Sequence, residues 1–380
     1  MGAFDVAIAG GGIIGLSTAF ELANAGFRVI VFDCREPGRE SSWAAAGMLA
    51  PVPESPGSGT LVALEKASYS LYSQFIARVQ ESSGKSTSFA REGALETFSG
   101  DSADADRNKF VVEHHRHGLL AEAISPEAAR KMESALGSSA RAVAWLRDEA
   151  TVDPRLLLEA ITSAIVNRGV QLRANCAVSS LLIEDGRCAG VISGGQRVPA
   201  RYVVIAAGCF SRDLCDRAAR YAPTRPVRGQ MIAFRHRDVR ITRVLRSQAG
   251  YLVPRADGRI IAGSTLEDVG FTKAVTPEGL QEILSAAIQL APELANAEIL
   301  DTWCGLRPGT TDDLPLIGPT DIEGLLVATG HYRNGILLAP ITAKLIREWI
   351  TSVTPSLDVA DFSPLRFSNS KTHSVSAIAE

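Results

Sequence analysis

The chain has 380 residues, of which 46% are hydrophobic and 21% are charged, and this length and composition predict a globular protein of two structural units. Its net charge of -3 at pH 7 gives no electrostatic reason to expect a nucleic acid or an anionic membrane as a partner. No apolar run approaches the roughly 18–20 residues that a membrane-spanning helix needs. The N-terminal sequence MGAFDVAIAGGG lacks the basic region and cleavage site of a secretory signal, so we expect a cytoplasmic protein.

The first 33 residues follow the order strand, glycine-rich turn, helix, strand and acid. An apolar run over residues 4–9 predicts a buried strand, and apolar residues at helical spacing predict a helix over residues 14–25. A second, β-branched strand is predicted over residues 28–32. This order is typical of a dinucleotide-binding βαβ unit.

The turn of this unit has the spacing G-x-G-x-x-G, with Gly10, Gly12 and Gly15. We expect Gly10 to form the tight turn, Gly12 to let the backbone approach a pyrophosphate, and Gly15 to let the helix pack closely on the strand. Asp33 ends the second strand, where a carboxylate can accept a hydrogen bond from a ribose hydroxyl. These residues favour NAD or FAD over NADP and leave the choice between NAD and FAD open.

Two later segments are rich in small residues. The segment SSWAAAGMLAP, residues 41–51, is apolar and flexible, which is typical of a loop in close contact with a flat ring system; a tightly packed connector is the alternative. The run YVVIAAG, residues 202–208, predicts a buried strand that ends in Ala207 and Gly208. Small residues after a strand of a dinucleotide fold again allow a close approach.

Further patterns predict the remaining elements. A helix is expected from about Pro154, and an amphipathic helix over residues 336–350 has its positive N-terminal end at the turn of residues 330–335. Turn signals at residues 184–186 and 256–258 predict two hairpins. The other predicted strands lie around Val170 and Ala177, over residues 227–234 and 325–328, and in two runs within residues 250–265.

Neither the cysteines nor the histidines predict a metal site. The cysteines form no C-x-x-C pair, so we expect buried, reduced thiols. We interpret His114, His115 and His117 as a surface cluster, because neighbouring imidazoles on a helix point apart and no further ligand joins them. The six cysteines are Cys34, Cys176, Cys188, Cys209, Cys215 and Cys304.

Arg307 stands in a stretch rich in turn-forming residues, CGLRPGTTDDLPLIGP, residues 304–319. Such an arginine is either a solvated loop charge or the partner of a carboxylate. The residues around it leave both interpretations open.

Four segments together resemble the D-amino-acid oxidase superfamily of FAD enzymes, and within it the bacterial glycine oxidase branch that is linked to thiamine biosynthesis. They are the first fifty residues, VVIAAG (203–208), GLRPGTTDDLPLIG (305–318) and GHYRNGILLAP (330–340). The resemblance extends from Phe4 to about Trp349 and is loose over roughly residues 57–147.

The resemblance implies an α/β fold, α+β overall, with two discontinuous domains. A Rossmann-like FAD-binding domain would comprise residues 1–80, 145–225 and 310–365. A substrate-binding domain with a mostly antiparallel sheet would comprise residues 81–144 and 226–309. Residues 366–380 would form a C-terminal tail. A homo-oligomer is expected, because members of the family assemble as dimers or tetramers.

The resemblance also implies a substrate site. Arg307 would bind the substrate carboxylate through a planar, bidentate pair, and Tyr251 would assist it. Arg333 resembles a second arginine that closes the site or supports its turn. Ala249 and Leu266 stand where glycine oxidases often carry histidine and methionine, which would leave room for sarcosine, D-alanine or D-proline beside glycine. The alternatives are a structural ion pair for Arg307, a core position for Tyr251 and a surface or capping role for Arg333.

The cofactor implied is non-covalent FAD, because Cys304 is one residue away from the position that carries a covalent flavin in some relatives. His331 is interpreted as part of the turn beside the flavin rather than as an acid or base. The residues expected to bind FAD are Gly10, Gly12, Ile13, Ile14, Gly15, Asp33, Ser41, Ala45, Ala46, Gly47, Met48, Val178, Ala207, Gly208, Gly305, His331, Arg333, Asn334, Gly335 and Ile336.

The reaction implied is hydride transfer from the substrate α-carbon to N5 of FAD, without a required acid or base residue. The imino acid would hydrolyse to a 2-oxo acid and ammonia or an amine, and molecular oxygen would be reduced to hydrogen peroxide. One alternative is an FAD-dependent D-amino-acid dehydrogenase that uses a quinone or another acceptor. Others are a flavin-binding protein without turnover and an NAD-dependent dehydrogenase.

Overall fold

The computed structural model of the protein describes residues 4–51, 59–214 and 218–367. Cys215 and residues 368–380 of the predicted tail lie outside the described residues. The α-helices are α1 (Ile13–Asn24), α2 (Ser41–Ala44), α3 (Gly59–Ser83), α4 (Ala103–Arg116), α5 (Pro126–Met132), α6 (Pro154–Asn167), α7 (Ala218–Tyr221), α8 (Pro277–Leu290) and α9 (Gly335–Ile350).

The strands are distributed along the whole described chain. They are β1 (Phe4–Ala9), β2 (Val29–Phe32), β3 (Met48–Leu49), β4 (Ala94–Phe98), β5 (Glu122–Ile124), β6 (Ala142–Leu146), β7 (Ala150–Thr151), β8 (Gln171–Arg173), β9 (Val178–Glu184), β10 (Arg187–Ser193), β11 (Gln196–Ile205), β12 (Arg225–Arg235), β13 (Val244–Ser247), β14 (Gly250–Pro254), β15 (Ile260–Gly263), β16 (Glu298–Gly309), β17 (Leu316–Pro319) and β18 (Leu325–Thr329).

The first of two eight-stranded sheets has a parallel centre, in the order β17-β18-β11-β1-β2-β8, with β9 and β10 added beside β11. Its strands β1, β2, β8, β11 and β18 run parallel, while β17, β9 and β10 pair antiparallel with their neighbours. Helices α1, α3, α6 and α9 pack together in one hydrophobic core that includes β1 and β2 residues. A parallel sheet buried by helices is the expected nucleotide-binding architecture.

The second eight-stranded sheet has the order β16-β12-β15-β14-β13-β4-β6-β5. All its neighbouring strands pair antiparallel except β13 and β4, which are parallel. Helix α8 packs against it and contributes to a separate hydrophobic core. The predicted mostly antiparallel sheet and the hairpin between β14 and β15 are therefore confirmed.

The two sheets draw on alternating stretches of the chain. The first uses residues 4–32, 171–205 and 316–329, and the second uses residues 94–146 and 225–309. This confirms the predicted α/β class with a second, mostly antiparallel sheet. The domain boundaries stay a prediction, and β6 crosses the one placed between residues 144 and 145.

Helix α9 contains Pro340, which has no backbone N–H to donate to the carbonyl of Ile336. The buried hydroxyl of Tyr72, in α3, donates to that carbonyl at 2.9 Å. Ser68, one turn earlier in α3, donates to the carbonyl of Leu337 at 2.6 Å. Helix α3 thus supplies the Ile336 carbonyl with the donor that Pro340 lacks, and Ser68 also accepts from the Ile341 N–H at 3.3 Å, so two hydroxyls of α3 hold the start of α9.

Two predictions about special residues can be compared with this fold. The described chain brings together no group of three His, Cys, Asp or Glu side chains that could hold a metal ion. The interpretation of the histidines as a surface cluster is wrong for His114, which is buried against the Phe110 ring in α4, with ring centroids 4.0 Å apart.

No helix within the described residues is both long enough and apolar enough to cross a membrane.

Candidate active site

A cavity of about 750 Å³ is lined by residues of both sheets. It lies at the carboxyl ends of the parallel strands β1, β2, β11 and β18, where open α/β sheets bind their ligands. The N-termini of α1 and α9 also line it, as do residues of β12, β14 and β16. Its volume falls within the roughly 300–1,000 Å³ that is usual for small-molecule and cofactor sites.

The glycine-rich turn forms one end of the cavity. Gly10 has a φ of +113°, and a β-carbon there would come within 2.3 Å of the Ala206 carbonyl oxygen, so only glycine fits. A β-carbon on Gly15 would come within 1.9 Å of the Gly10 oxygen and 3.3 Å of the Ile8 side chain in β1, so glycine here lets the helix pack closely on the turn and the strand, as predicted. Gly12 precedes α1 without a side-chain cap, and no acidic residue stands in the first helical turn. The positive end of α1 faces the cavity, beside the Asp33 carboxylate that accepts from the Gly11 N–H and the Ser42 hydroxyl that accepts from the Ile13 N–H.

Asp33 lies on the cavity wall directly after β2. Its Oδ2 accepts a hydrogen bond from the Gly11 N–H at 2.8 Å, and its Oδ1 accepts one from the Arg35 N–H at 2.9 Å. Burial raises the pKa of Asp33, and these two N–H donors oppose that rise. The carboxylate is held in place and keeps lone pairs that can accept a hydrogen bond from a ribose hydroxyl.

The turn before α9 forms another part of the wall. Asn334 donates from its amide to Glu65 Oε1, in α3, at 2.8 Å, and the first turn of α9 carries no acidic residue. His331 is buried, with Nε2 at 3.0 Å from the Thr342 hydroxyl, and burial lowers its pKa to about 3. The imidazole is therefore neutral at pH 7 and belongs to the packing of the turn.

Arg307 lies in strand β16, not in a turn as the surrounding residue types suggested. The strand continues because residues 298–309 pair with β12 over its whole length. The half-buried Arg307 lines the cavity and donates to the carbonyls of Arg228 and Thr265, at 3.3 and 3.2 Å, and to the Ser264 hydroxyl at 2.6 Å. The interpretation as a solvated loop charge is wrong.

Tyr251 belongs to a row of neighbouring residues across the second sheet. Met231 on β12 pairs with Gly263 on β15, which pairs with Tyr251 on β14, which pairs with Arg246 on β13. The Tyr251 hydroxyl lies 3.5 Å from the Met231 sulfur, and both side chains line the cavity. They give it a wall that is apolar apart from one hydroxyl.

Leu266 was predicted to contact the substrate, and this is wrong. Its side chain is 60% exposed and does not line the cavity. Beyond β15 the chain returns to β12 through a bridge between Glu267 and Arg228, so Thr265 and Glu267 point inward and Leu266 points outward. The alternation of side chains along an extended segment explains this placement.

The structure brings the other predicted site residues together, except Gly15, which packs under the turn instead of lining the cavity. The predicted residues that line it are Gly10, Gly12, Ile13, Ile14, Asp33, Ser41, Ala45, Ala46, Gly47, Met48, Val178, Ala207, Gly208, Ala249, Tyr251, Gly305, Arg307, His331, Arg333, Asn334, Gly335 and Ile336.

Several lining residues were missed by the sequence analysis. They include Glu96 and Phe110, from the part of the chain where the resemblance is loose, and Arg246 in β13, a segment for which the sequence predicted neither a strand nor a role. Arg246 donates to Glu96 at 2.8 Å and to Glu149 at 2.9 Å. Burial raises the pKa of Glu149 to about 7, while the Arg246 charge opposes the rise. This buried ion cluster supports the cavity wall behind Tyr251.

The chain is similar to known proteins over most of its length. A family model described as FAD dependent oxidoreductase (DAO) matches residues 5–349. Glycine oxidase from Pseudomonas putida is 34% identical over 362 residues, which cover 95% of this chain and 98% of that protein. A Synechocystis protein named bifunctional protein ThiO/ThiG is 35% identical over 369 residues, which cover 96% of this chain and 54% of that protein.

Similarity extends to solved structures. The crystal structure of glycine oxidase from Geobacillus kaustophilus matches with a TM-score of 0.91 at 29% sequence identity, covering 96% of this chain and 99% of that chain. The glycine oxidase structure from Bacillus cereus matches with a TM-score of 0.86 at 30% identity, covering 92% and 95% of the two chains.

Proposed function

The chain belongs to the FAD-dependent oxidoreductase family of the DAO type, and from this membership we propose that it is an oxidase of glycine and other small amino acids. The observation that carries the proposal is Arg307, a half-buried guanidinium on the wall of the cavity that also contains the nucleotide-binding turn. The similarity to glycine oxidases supports the same substrate class.

The described residues fit FAD. The N-terminus of α1 would bind the pyrophosphate, Asp33 would bind the ribose, and the N-terminus of α9 would stabilise negative charge on the ring system. The small residues Ala45, Ala46 and Gly47 give the low wall that a flat ring requires. Cys304 does not line the cavity, which supports non-covalent binding.

Arg307 would bind the substrate carboxylate with two parallel N–H donors, and the Tyr251 hydroxyl would donate a third hydrogen bond. This fixes the orientation of the α-carbon, which is the main contribution a protein makes to such a reaction. Arg333, exposed at the cavity, would close the site over the substrate. Bound FAD supplies a two-electron acceptor for the hydride of the α-carbon.

The residues of the site position the substrate and are not required as acid or base. His331 is buried and neutral, and its ring is hydrogen-bonded to Thr342. It therefore stabilises the turn and does not exchange a proton with the substrate. Met231 and Tyr251, which both line the cavity, would limit the access of water to the reacting atoms. The imino acid that leaves would hydrolyse to a 2-oxo acid and ammonia, or to an amine from an N-methylated substrate, with hydrogen peroxide formed from oxygen.

Ala249 lines the cavity and presents only a methyl group. This supports a range that includes sarcosine, D-alanine and D-proline besides glycine. Differences of one small group change such preferences by about 1–3 kcal/mol, so the order within this range is a matter for measurement. A cytoplasmic location and a homo-oligomeric state stay predictions.

The experiment mixes the FAD-loaded protein with glycine, sarcosine, D-alanine, L-alanine or D-proline without oxygen, follows flavin absorbance, and then admits air. We expect bleaching by glycine and the small D- or N-methyl amino acids, followed by rapid recovery with peroxide release. Bleaching with slow recovery would indicate a dehydrogenase with a quinone or another acceptor. A flavin that none of these compounds reduces would contradict the proposed substrate class.

A further inference from the structure

A buried polar cluster lies behind Arg307 and is not part of the proposed chemistry. We call it the Glu267 cluster; it consists of Arg228, Gln230, Thr265, Glu267 and Thr276. One carboxylate oxygen of Glu267 accepts from Arg228, and the other accepts from Thr265 at 2.5 Å and from Gln230 at 2.8 Å. The Gln230 amide also donates to the Thr276 hydroxyl at 3.0 Å and accepts from the Thr276 N–H at 2.8 Å.

Glu267 is the residue on which this cluster converges. Arg228 is 5% exposed, and a guanidinium so buried needs an opposite charge. Burial acts to raise the pKa of Glu267, but the donors from Arg228, Thr265 and Gln230 outweigh it and lower that pKa to about 2. Glu267 is therefore ionised throughout the physiological range and provides that charge.

The cluster is connected to Arg307 through two carbonyl groups. Arg307 donates to the carbonyls of Arg228 and Thr265, which are two of the three residues whose side chains bind Glu267. The backbones of Arg228 and Glu267 also exchange two hydrogen bonds, at 2.9 and 3.0 Å. A shift of Glu267 would therefore move both acceptors that hold the guanidinium.

We propose that Glu267 is a positioning residue for Arg307, which sets the place of the guanidinium in the cavity through the carbonyls of Arg228 and Thr265. This inference rests on the proposed function, in which Arg307 binds the substrate carboxylate. Glu267 does not line the cavity, so it acts without touching substrate. Thr265 and Glu267, in the chain between β15 and α8, thus support the carboxylate site although neither lines the cavity.

A purely structural role is the alternative, in which the cluster only anchors the chain between β15 and α8. Loss of stability alone would not distinguish the two roles. The affinity of the site for a carboxylate does distinguish the two roles. If the cluster only anchors the chain, its disruption leaves the Arg307 guanidinium in place and the affinity unchanged. Acetate is a suitable probe, since it is glycine without its amino group and cannot be oxidised at an amine.

The test measures acetate dissociation constants by flavin absorbance in the FAD-loaded variants Glu267→Gln, Thr265→Val and Asp268→Asn, with Arg307→Met as the reference. Steady-state kinetics with glycine and thermal unfolding of the FAD-free proteins are measured alongside. Asp268 is the matched control, because it is the adjacent carboxylate, and its side chain is 79% exposed. Thr265→Val removes one donor to Glu267 and keeps the side-chain volume nearly the same. It replaces Glu267→Gln as the test variant if Glu267→Gln does not fold.

We expect Glu267→Gln to raise the acetate dissociation constant and the KM for glycine about tenfold, with a smaller change in kcat. Thr265→Val should act in the same direction to a lesser degree, and Asp268→Asn should leave the values unchanged. Unchanged acetate affinity in Glu267→Gln, or in Thr265→Val if that variant alone folds, would overturn the inference. Unchanged acetate affinity in Arg307→Met would instead overturn the proposed function.

Discussion

The guanidinium of Arg307 lies over Gly229, which stands on the neighbouring strand two residues beyond Val227, the partner of Arg307 in the register. A β-carbon on Gly229 would come within 2.3 Å of both Nη atoms, so the absence of a side chain creates the space that the guanidinium occupies. Gly229 pairs with Gly305 in the register of β12 and β16, which leaves this part of the sheet without side chains on either strand. Gly229 is therefore needed to make room for the guanidinium of Arg307, and not because its backbone has a positive φ.

The variant Gly229→Ala should therefore fold and lose activity. The added methyl group meets the flexible end of a side chain, so Arg307 moves away rather than the strand. A displacement of about 1 Å in a residue that orients the substrate can lower kcat/KM by up to about a hundredfold. Steady-state kinetics with glycine measure it, and Gly59→Ala, where a β-carbon meets nothing within 4 Å, is the control. Activity equal to that of the wild type would show that the guanidinium does not need this position.

Ala249 should control the size of accepted substrates. The variant Ala249→His fills the cavity beside Tyr251, and we expect it to reduce kcat/KM for D-proline relative to glycine by about 10- to 100-fold. Leu266→Met is the matched control, because Leu266 is 60% exposed and outside the cavity. A change of preference in Leu266→Met but not in Ala249→His would reverse our assignment of the two residues.

The hydroxyl of Tyr72 should stabilise the first turn of α9, because it donates to the carbonyl that Pro340 leaves without a backbone donor. Its removal in Tyr72→Phe leaves the buried Ile336 carbonyl without that donor, which should lower the free energy of unfolding by about 1–2 kcal/mol. In a Pro340→Ala background, the new N–H can donate to Ile336, so Tyr72→Phe should have a smaller effect. A double-mutant cycle by chemical denaturation measures this coupling; equal effects in both backgrounds would rule it out.

Glu149 should make stability depend on pH. Because burial raises its pKa to about 7, protonation favours the folded state. Its contribution to stability is complete below about pH 4.5, the unfolded value, and is lost as the pH rises through about 7. Melting temperatures measured from pH 4.5 to 8 should therefore fall more steeply for the wild type than for Glu149→Gln. The exposed Glu122, paired with Arg147, supplies the control variant Glu122→Gln, which should follow the wild type.

The local patterns of the sequence were sufficient for the nucleotide-binding unit. Gly10, Gly15 and Asp33 lie within one βαβ unit, so their spacing determines their contacts directly. The sequence also identified Arg307, but not its strand, because Pro308 and Gly309 suggest a turn and the pairing with β12 overrides them. Whether such a segment forms a strand depends on its pairing with a distant strand, which a short stretch of sequence does not reveal.

The residues that were missed come from distant parts of the chain. Glu96 reaches the cavity because β4 pairs with β13, and Arg246 binds it there across 150 positions. Leu266 was misplaced because the bridge between Arg228 and Glu267 sets which side chains point inward. A change of one residue in register reverses the face of every side chain, so only the paired structure determines it.

The measurement that tests the account most directly compares glycine with glycinamide, its neutral analogue, in the wild type and in Arg307→Met. The rate of anaerobic flavin reduction is followed at low concentrations of each compound. If Arg307 binds the carboxylate, Arg307→Met should slow reduction by glycine about a thousandfold and change reduction by glycinamide little. Equal losses for the two compounds, or no loss for glycine, would contradict the assignment of Arg307 as the carboxylate-binding residue.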